Sequence, residues 1–217
     1  MSALNHYKTW VFDCDGVLLN SNRVKTEAFF EAAKPYGVDK AQALVNYHVQ
    51  NGGISRYVKF ENFLTEIVGR ETIDTDELDD LLSRYARSVK QGLRDCEAAS
   101  GLEQLRQLTR GARWLVVSGG DQAELREVFR DRGLAAYFDG GIFGSPDNKD
   151  EILNRELVSG TIGLPAVFVG DSRYDIEAAS RAGLDFVFLS QWSESDYDFA
   201  NASLRLESIK SIVEHLS

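Results

Sequence analysis

Apolar positions cluster in short runs along this chain. The first spans Tyr7 to Asp13. Others are "ARWLVV" at Ala112–Val117, "AVFV" at Ala166–Val169 and "FVFL" at Phe186–Leu189. Each run is almost continuously apolar, the pattern of a strand buried on both faces, so a parallel sheet is expected. Helical periodicity separates the later runs. In "SGGDQAELREVFRDRG", Asp121 offers a start signal and Glu124 can reach back to it three residues later. Leu125, Val128 and Phe129 form the apolar stripe, and Gly133 is a stop. "YDIEAASRAG" repeats the logic, with Ile176, Ala179 and Ala182 on one side and Gly183 as the stop. Strands alternating with helices predict an α/β fold with a doubly wound sheet.

The texture changes between Asn20 and Leu93, where no buried-strand run occurs. "RVKTEAFFEAAKPYG" reads as a helix ended by Pro35 and Gly37. "KAQALVNYHVQNGG" reads as a second, stopped by Gly52 and Gly53. "SRYVKFENFLTEIVG" and "DTDELDDLLSRYARSVKQG" supply two more. A small α-helical insert is therefore expected over residues 20–93, between core segments 1–19 and 94–217. Asn20–Asn22 and Cys96–Gly101 are its candidate hinges. Its aromatics, Phe29 and Phe60 among them, read as the insert's own core.

Composition narrows the function. With 217 residues and 43% apolar content, the chain can build one domain or one core with a modest insert. The formal charge of −10 argues against nucleic acid as a partner. It leaves room for a small anionic substrate at a locally positive site. "MSALNHYKTW" has no apolar h-region, so no signal peptide is expected, and no stretch approaches the length of a membrane span. Cys14 and Cys96 show no metal-ligand spacing and read as reduced thiols, consistent with a cytoplasmic protein. His6, His48 and His215 lie far apart and read as ordinary surface or packing residues.

Open α/β sheets bind ligands beyond the carboxyl ends of their strands. Asp13, Asp15 and Gly16 follow the first run. Ser118, Gly119 and Gly120 follow the second, and Gly170, Asp171, Ser172 and Asp175 follow the third. Lys149 lies between, in "GSPDNKDEIL". Four acids at one sheet edge need cations to remain charged together. Oxygen-only ligands favour Mg²⁺. Lys149 is the fixed cation, and Ser118 with the amides after it can hold phosphate oxygens. The set describes a phosphoryl site. In this reading Asp13 is the nucleophile that forms an aspartyl-phosphate, and Asp15 is the general acid and base. Asp171 and Asp175 hold the metal.

"FDCDGVL", "VVSGG", Lys149 in "GSPDNK" and "GDSRYD" resemble the four motifs of the haloacid-dehalogenase-like hydrolase superfamily. They occur in order and span the core. The resemblance implies a Rossmann-like core and a helical cap inserted after the first motif, where residues 20–93 lie. It also implies that Asp13 ligates the metal and that Asp15 lends it a backbone carbonyl. The presence of Asp15 points to phosphoryl transfer rather than dehalogenation. Within the superfamily the chain looks most like the phosphoglycolate-phosphatase and β-phosphoglucomutase group. Gly119 and Asp150 depart from common choices in that group, polar and Pro respectively. In the insert, "NGGISRYVKF" resembles the cap loop that touches substrate in the β-phosphoglucomutase branch, so Arg56 and Lys59 are candidate specificity residues. The expectation is a Mg²⁺-dependent phosphatase acting on a small phosphorylated metabolite. The alternatives are a phosphomutase and a non-catalytic binding protein on the same fold.

Overall fold

The computed structural model describes residues 4–217. Six strands form one parallel sheet: β1 (Thr9–Phe12), β2 (Arg113–Asp121), β3 (Gly141–Ser145), β4 (Ala166–Gly170), β5 (Asp185–Leu189) and β6 (Leu204–Leu206). Their order is β3-β2-β1-β4-β5-β6. The chain winds outward from β1 through β2 to β3, then returns to β4 on the other side of β1. That reversal makes the carboxyl end of β1 the switch point of a Rossmann-like α/β fold.

Period-two alternation sends side chains to two core layers. Trp10, Phe12, Trp114, Val116, Val167 and Val169 pack on one face, and Val11, Leu115, Val117 and Phe168 on the other. The first face is covered by α5 (Leu102–Leu108), α6 (Gln122–Asp131) and α9 (Ile209–Leu216). The second is covered by α7 (Lys149–Val158) and α8 (Arg173–Arg181). Both sides of the sheet are thus dry, which is why its central strands read as unbroken apolar runs.

Between β1 and α5 lie the helices of the insert: α1 (Asn22–Ala33), α2 (Val38–Gln50), α3 (Arg56–Asn62) and α4 (Thr75–Asp95). A π-helical turn over Phe63–Val68 extends α3. Phe29, Phe60 and Tyr85 pack tilted or edge-on against one another at centroid distances of 4.4–5.9 Å and centre this bundle. The two connections to the sheet run side by side. Asn20 N–H donates to Glu97 O and Ala99 N–H donates to Leu18 O, each at 2.9 Å. No helix among the described residues is long and apolar enough to cross a membrane.

Three elements escape the sequence pattern: β3, β6 and α5. β3 is "GIFGS", in which two glycines dilute the apolar signal. β6 is a three-residue edge strand, too short to leave a periodic signal. β2 runs past its expected end at Val117 because the ladder to β3 is interrupted there and resumes where Asp121 pairs with Ser145.

Candidate active site

The carboxyl ends of β1, β2 and β4 converge on the switch point. Asp13 follows β1 directly, and its N–H donates to Val169 O at 2.9 Å, so the ladder fixes the backbone that carries it. The chain then turns tightly. Leu18 and Leu19 N–H groups both donate to Cys14 O at 2.9 Å. Gly16, at φ 75°, makes the bend, and a Cβ there would stand 2.0 Å from Asp171 Oδ2. Only glycine fits that left-handed, crowded position. The turn sends Cys14 into the apolar core, where burial pushes its thiol pKa well up, in keeping with a packing role.

Lys149 opens α7, placed by an Asn148–Glu151 capping box, and is 0% exposed. Its Nζ lies 3.0 Å from Asp13 Oδ1 and also pairs with Asp175. Asp175 closes a second capping box at the start of α8. Its Oδ2 accepts from Ser172 Oγ at 2.7 Å, Ser172 N at 3.0 Å and Asp171 N at 3.2 Å. Both Asp175 oxygens are therefore engaged by protein donors. Asp171 Oδ2 accepts from Asn22 Nδ2 at 3.0 Å.

Carboxylate oxygens of Asp13, Asp171 and Asp175 all lie within 4.8 Å of one another. Burial, then Lys149 in opposition, sets the Asp13 pKa, which rises to about 7. Burial, Asp175 and Asp13 push the Asp171 carboxyl well above its usual range. An oxygen-only donor set, buried and mutually repelling, fits a hard divalent cation such as Mg²⁺.

Asp15 stands outside that cluster. Its carboxylate pairs with Lys25 of α1 and accepts from Ser21 Oγ at 2.5 Å. Burial alone would raise its pKa, but Lys25 and Ser21 more than offset this and hold it below the ordinary value. Neither partner was apparent from sequence spacing.

Ser118, Gly119 and Gly120 occupy the interruption in the β2 ladder. Ser118 Oγ is buried and accepts from Gly120 N at 3.1 Å. Gly119 has no room for a side chain, since a Cβ would stand 2.2 Å from Gly53 O of the loop between α2 and α3. Its departure from the polar residue common among relatives thus has a steric cause. Asp150, the second departure, binds Arg181 in a bidentate pair and accepts from Tyr174 OH at 2.9 Å, tying α7 to α8.

The helical insert faces this edge across a cavity bounded by Asp13, Asp15 and Asp171 on one side and by Lys25, Arg56 and Lys59 on the other. Arg56 lines the cavity while its guanidinium forks onto Glu124 of α6, at 2.5 and 3.2 Å, and lies 4.5 Å from the Tyr85 ring centroid. Glu124 therefore does not complete the α6 capping box, although Asp121 does accept from Glu124 N at 2.9 Å. His48 packs as well as lines the cavity, with its Nδ1 2.7 Å from Lys59 Nζ and its ring centroid 4.5 Å from that of Phe29.

No curated protein sequence matches this chain. Solved structures do. A predicted phosphatase from Clostridium acetobutylicum is 18% identical over 96% of this chain and 97% of its own, with a TM-score of 0.75. A predicted phosphoglycolate phosphatase from Haemophilus somnus 129pt is 18% identical over 99% and 100%, with a TM-score of 0.74. CbbY from Rhodobacter sphaeroides, in complex with phosphate, is 19% identical over 95% and 96%, with a TM-score of 0.70. At such identity these likenesses speak for the fold. The family model for haloacid dehalogenase-like hydrolases matches residues 7–183, a span that contains every residue of the acid and lysine cluster, and the chain belongs to that family.

Proposed function

We propose that the protein is a Mg²⁺-dependent phosphatase that hydrolyses a small phosphorylated metabolite through an aspartyl-phosphate. The observation that carries this reading is the convergence of Asp13, Asp171 and Asp175 around the buried Lys149 at the switch point. Asp13 attacks phosphorus in line, and Lys149 neutralises nucleophile and phosphoryl oxygens together. Ser118 and the Gly119 amide take phosphoryl oxygens. Asp15 gives a proton to the leaving oxygen and then takes one from the attacking water. Asp13, Asp171 and the Asp15 carbonyl would hold the metal, with Asp175 supporting it directly or through water. Bound Mg²⁺ would supply charge neutralisation between the nucleophile and the anionic ester. Residues 20–93 act as the cap that excludes bulk water and reads the leaving group.

The names of the similar structures, two of them predicted phosphatases, point the same way. A mutase needs a second phosphate site, and the Arg56–Glu124 pair weighs against Arg56 as its anchor. The test is inorganic phosphate release from a panel of small phosphate esters, with Mg²⁺ and with EDTA. Release that needs metal and vanishes in a folded Asp13→Asn variant is the expected result. No release from any ester would overturn the reading.

A further inference from the structure

The cations around the cavity are unequal. Lys25 is paired with Asp15, Arg56 with Glu124, Arg173 with Glu177, and Lys149 with Asp13 and Asp175. Lys59 alone has no carboxylate within ion-pairing distance among the described residues, yet it is 1% exposed. Its Nζ meets only a neutral acceptor, His48 Nδ1 at 2.7 Å, and lies 5.5 Å from the Phe29 ring centroid. A buried ammonium without an anion is costly, and folding alone gives no reason to hold one at a cavity wall.

We propose that Lys59 is a specificity residue that selects phosphate esters whose leaving group carries a carboxylate. This rests on the phosphatase reading and narrows its substrate class. In-line attack by Asp13 directs the leaving group away from the sheet edge, towards the wall that Lys59 helps to form. One uncommitted ammonium matches one monoanionic charge. A second phosphate would call for more, and the forked donor suited to it, Arg56, is committed to Glu124.

The surroundings give the subsite a proton signature. Burial, then Lys25 and Lys149, pull the Lys59 pKa down to about 7, with Asp15 opposing. His48 also faces it and is kept neutral by burial, Lys59 and Lys25. The other charged or titratable groups lining the cavity are Tyr85, Arg56, Asp13, Asp171, Arg173 and Glu194. A carboxylate arriving at Lys59 favours its charged form, so above neutral pH binding draws in a proton.

The experiment compares 3-phosphoglycerate with glycerol 3-phosphate, which differ only in carboxylate against hydroxymethyl, on the Mg²⁺-loaded enzyme. Wild type is expected to favour the acid, and Lys59→Met to lose roughly 30-fold or more in kcat/KM on the acid alone. Lys59→Arg, which keeps the charge, retains the preference and guards against a folding defect in the first variant. Calorimetry of Asp13→Asn at pH 8, in two buffers of different ionisation enthalpy, is expected to show proton uptake with 3-phosphoglycerate beyond that with glycerol 3-phosphate. The excess disappears when Lys59→Arg or Lys59→Met is added. Equal losses on both esters, or no wild-type preference, would overturn the proposal. If no ester is hydrolysed at all, the phosphatase reading fails, and the calorimetric comparison still decides the fate of the Lys59 subsite.

Discussion

Asp15 sits two residues from Asp13, yet the two carboxylates answer to different lysines. Lys149 faces Asp13 from the core, whereas Lys25 holds Asp15 from the first helix of the insert. The turn around Gly16 separates them. This division has a kinetic consequence. A general acid must carry its proton when the leaving oxygen departs, and Lys25 with Ser21 holds the Asp15 pKa below normal. Removing Lys25 takes away that downward pull, so the folded pKa rises. In Lys25→Met the limb of the kcat–pH profile that reports loss of the Asp15 proton should move to higher pH. An unmoved profile would show that Lys25 does not tune the acid. Gly119 carries a second residue-scale prediction. In Gly119→Ala the new methyl meets Gly53 O at 2.2 Å, so the α2–α3 loop must withdraw. The overpacking should cost about 1–3 kcal/mol. Each kcal/mol lowers Tm by about 2–4 °C in a chain of this size. Phosphatase activity should fall with it, because the withdrawn loop opens the cavity.

At the scale of elements, α6 presents a row of acids to the insert. Arg56 of α3 pairs with Glu124, and Tyr57 OH donates to Asp121 at 2.9 Å. Lys90 and Arg94 of α4 reach Glu127, and Arg94 also reaches Asp131. The α4 pairs are partly exposed and contribute little each in salt. The Arg56–Glu124 pair is largely buried, so Glu124→Ala strands a buried guanidinium. A loss on the order of 3 kcal/mol is expected. Hydrogen exchange should accelerate in α3 before it does in the sheet, and uniform acceleration would place the role of the pair in global stability instead. This row shows what sequence can and cannot convey. The central strands and most helices were legible because burial on both faces, caps and glycine stops leave local signatures. Asp13, Lys149, Asp171 and Asp175 were legible as a set because each follows a strand or opens a helix. Lys25 to Asp15, Lys59 to His48 and Arg56 to Glu124 were not. Each joins segments brought together by folding, and no spacing rule links them. β3 was missed for a simpler reason, since glycine occupies two of its five positions.

For the whole molecule, the acids at the switch point set a conflict that spans both layers. Asp13 comes from β1, while Asp171 and Asp175 come from the end of β4 and the start of α8. Lys149 offsets only part of their repulsion, which is why burial leaves the Asp13 pKa near 7 and that of Asp171 well raised. A divalent cation resolves the conflict by replacing protons. Its apparent affinity should therefore rise as pH increases through neutrality, because fewer protons must be displaced. Binding to the folded state alone also stabilises it by mass action, by about 2.7 kcal/mol at a Mg²⁺ concentration of 100 Kd. With the same scaling of about 2–4 °C per kcal/mol, Tm should climb by roughly 5–11 °C. EDTA should reverse the gain, and Asp171→Asn should abolish most of it while raising the metal-free Tm, since a buried carboxyl whose pKa is raised on folding costs stability at neutral pH. A Mg²⁺-independent Tm in the wild type would mean that Lys149 and protons already neutralise the cluster, and the site would then have to work without the ion that its oxygen ligands are suited to hold.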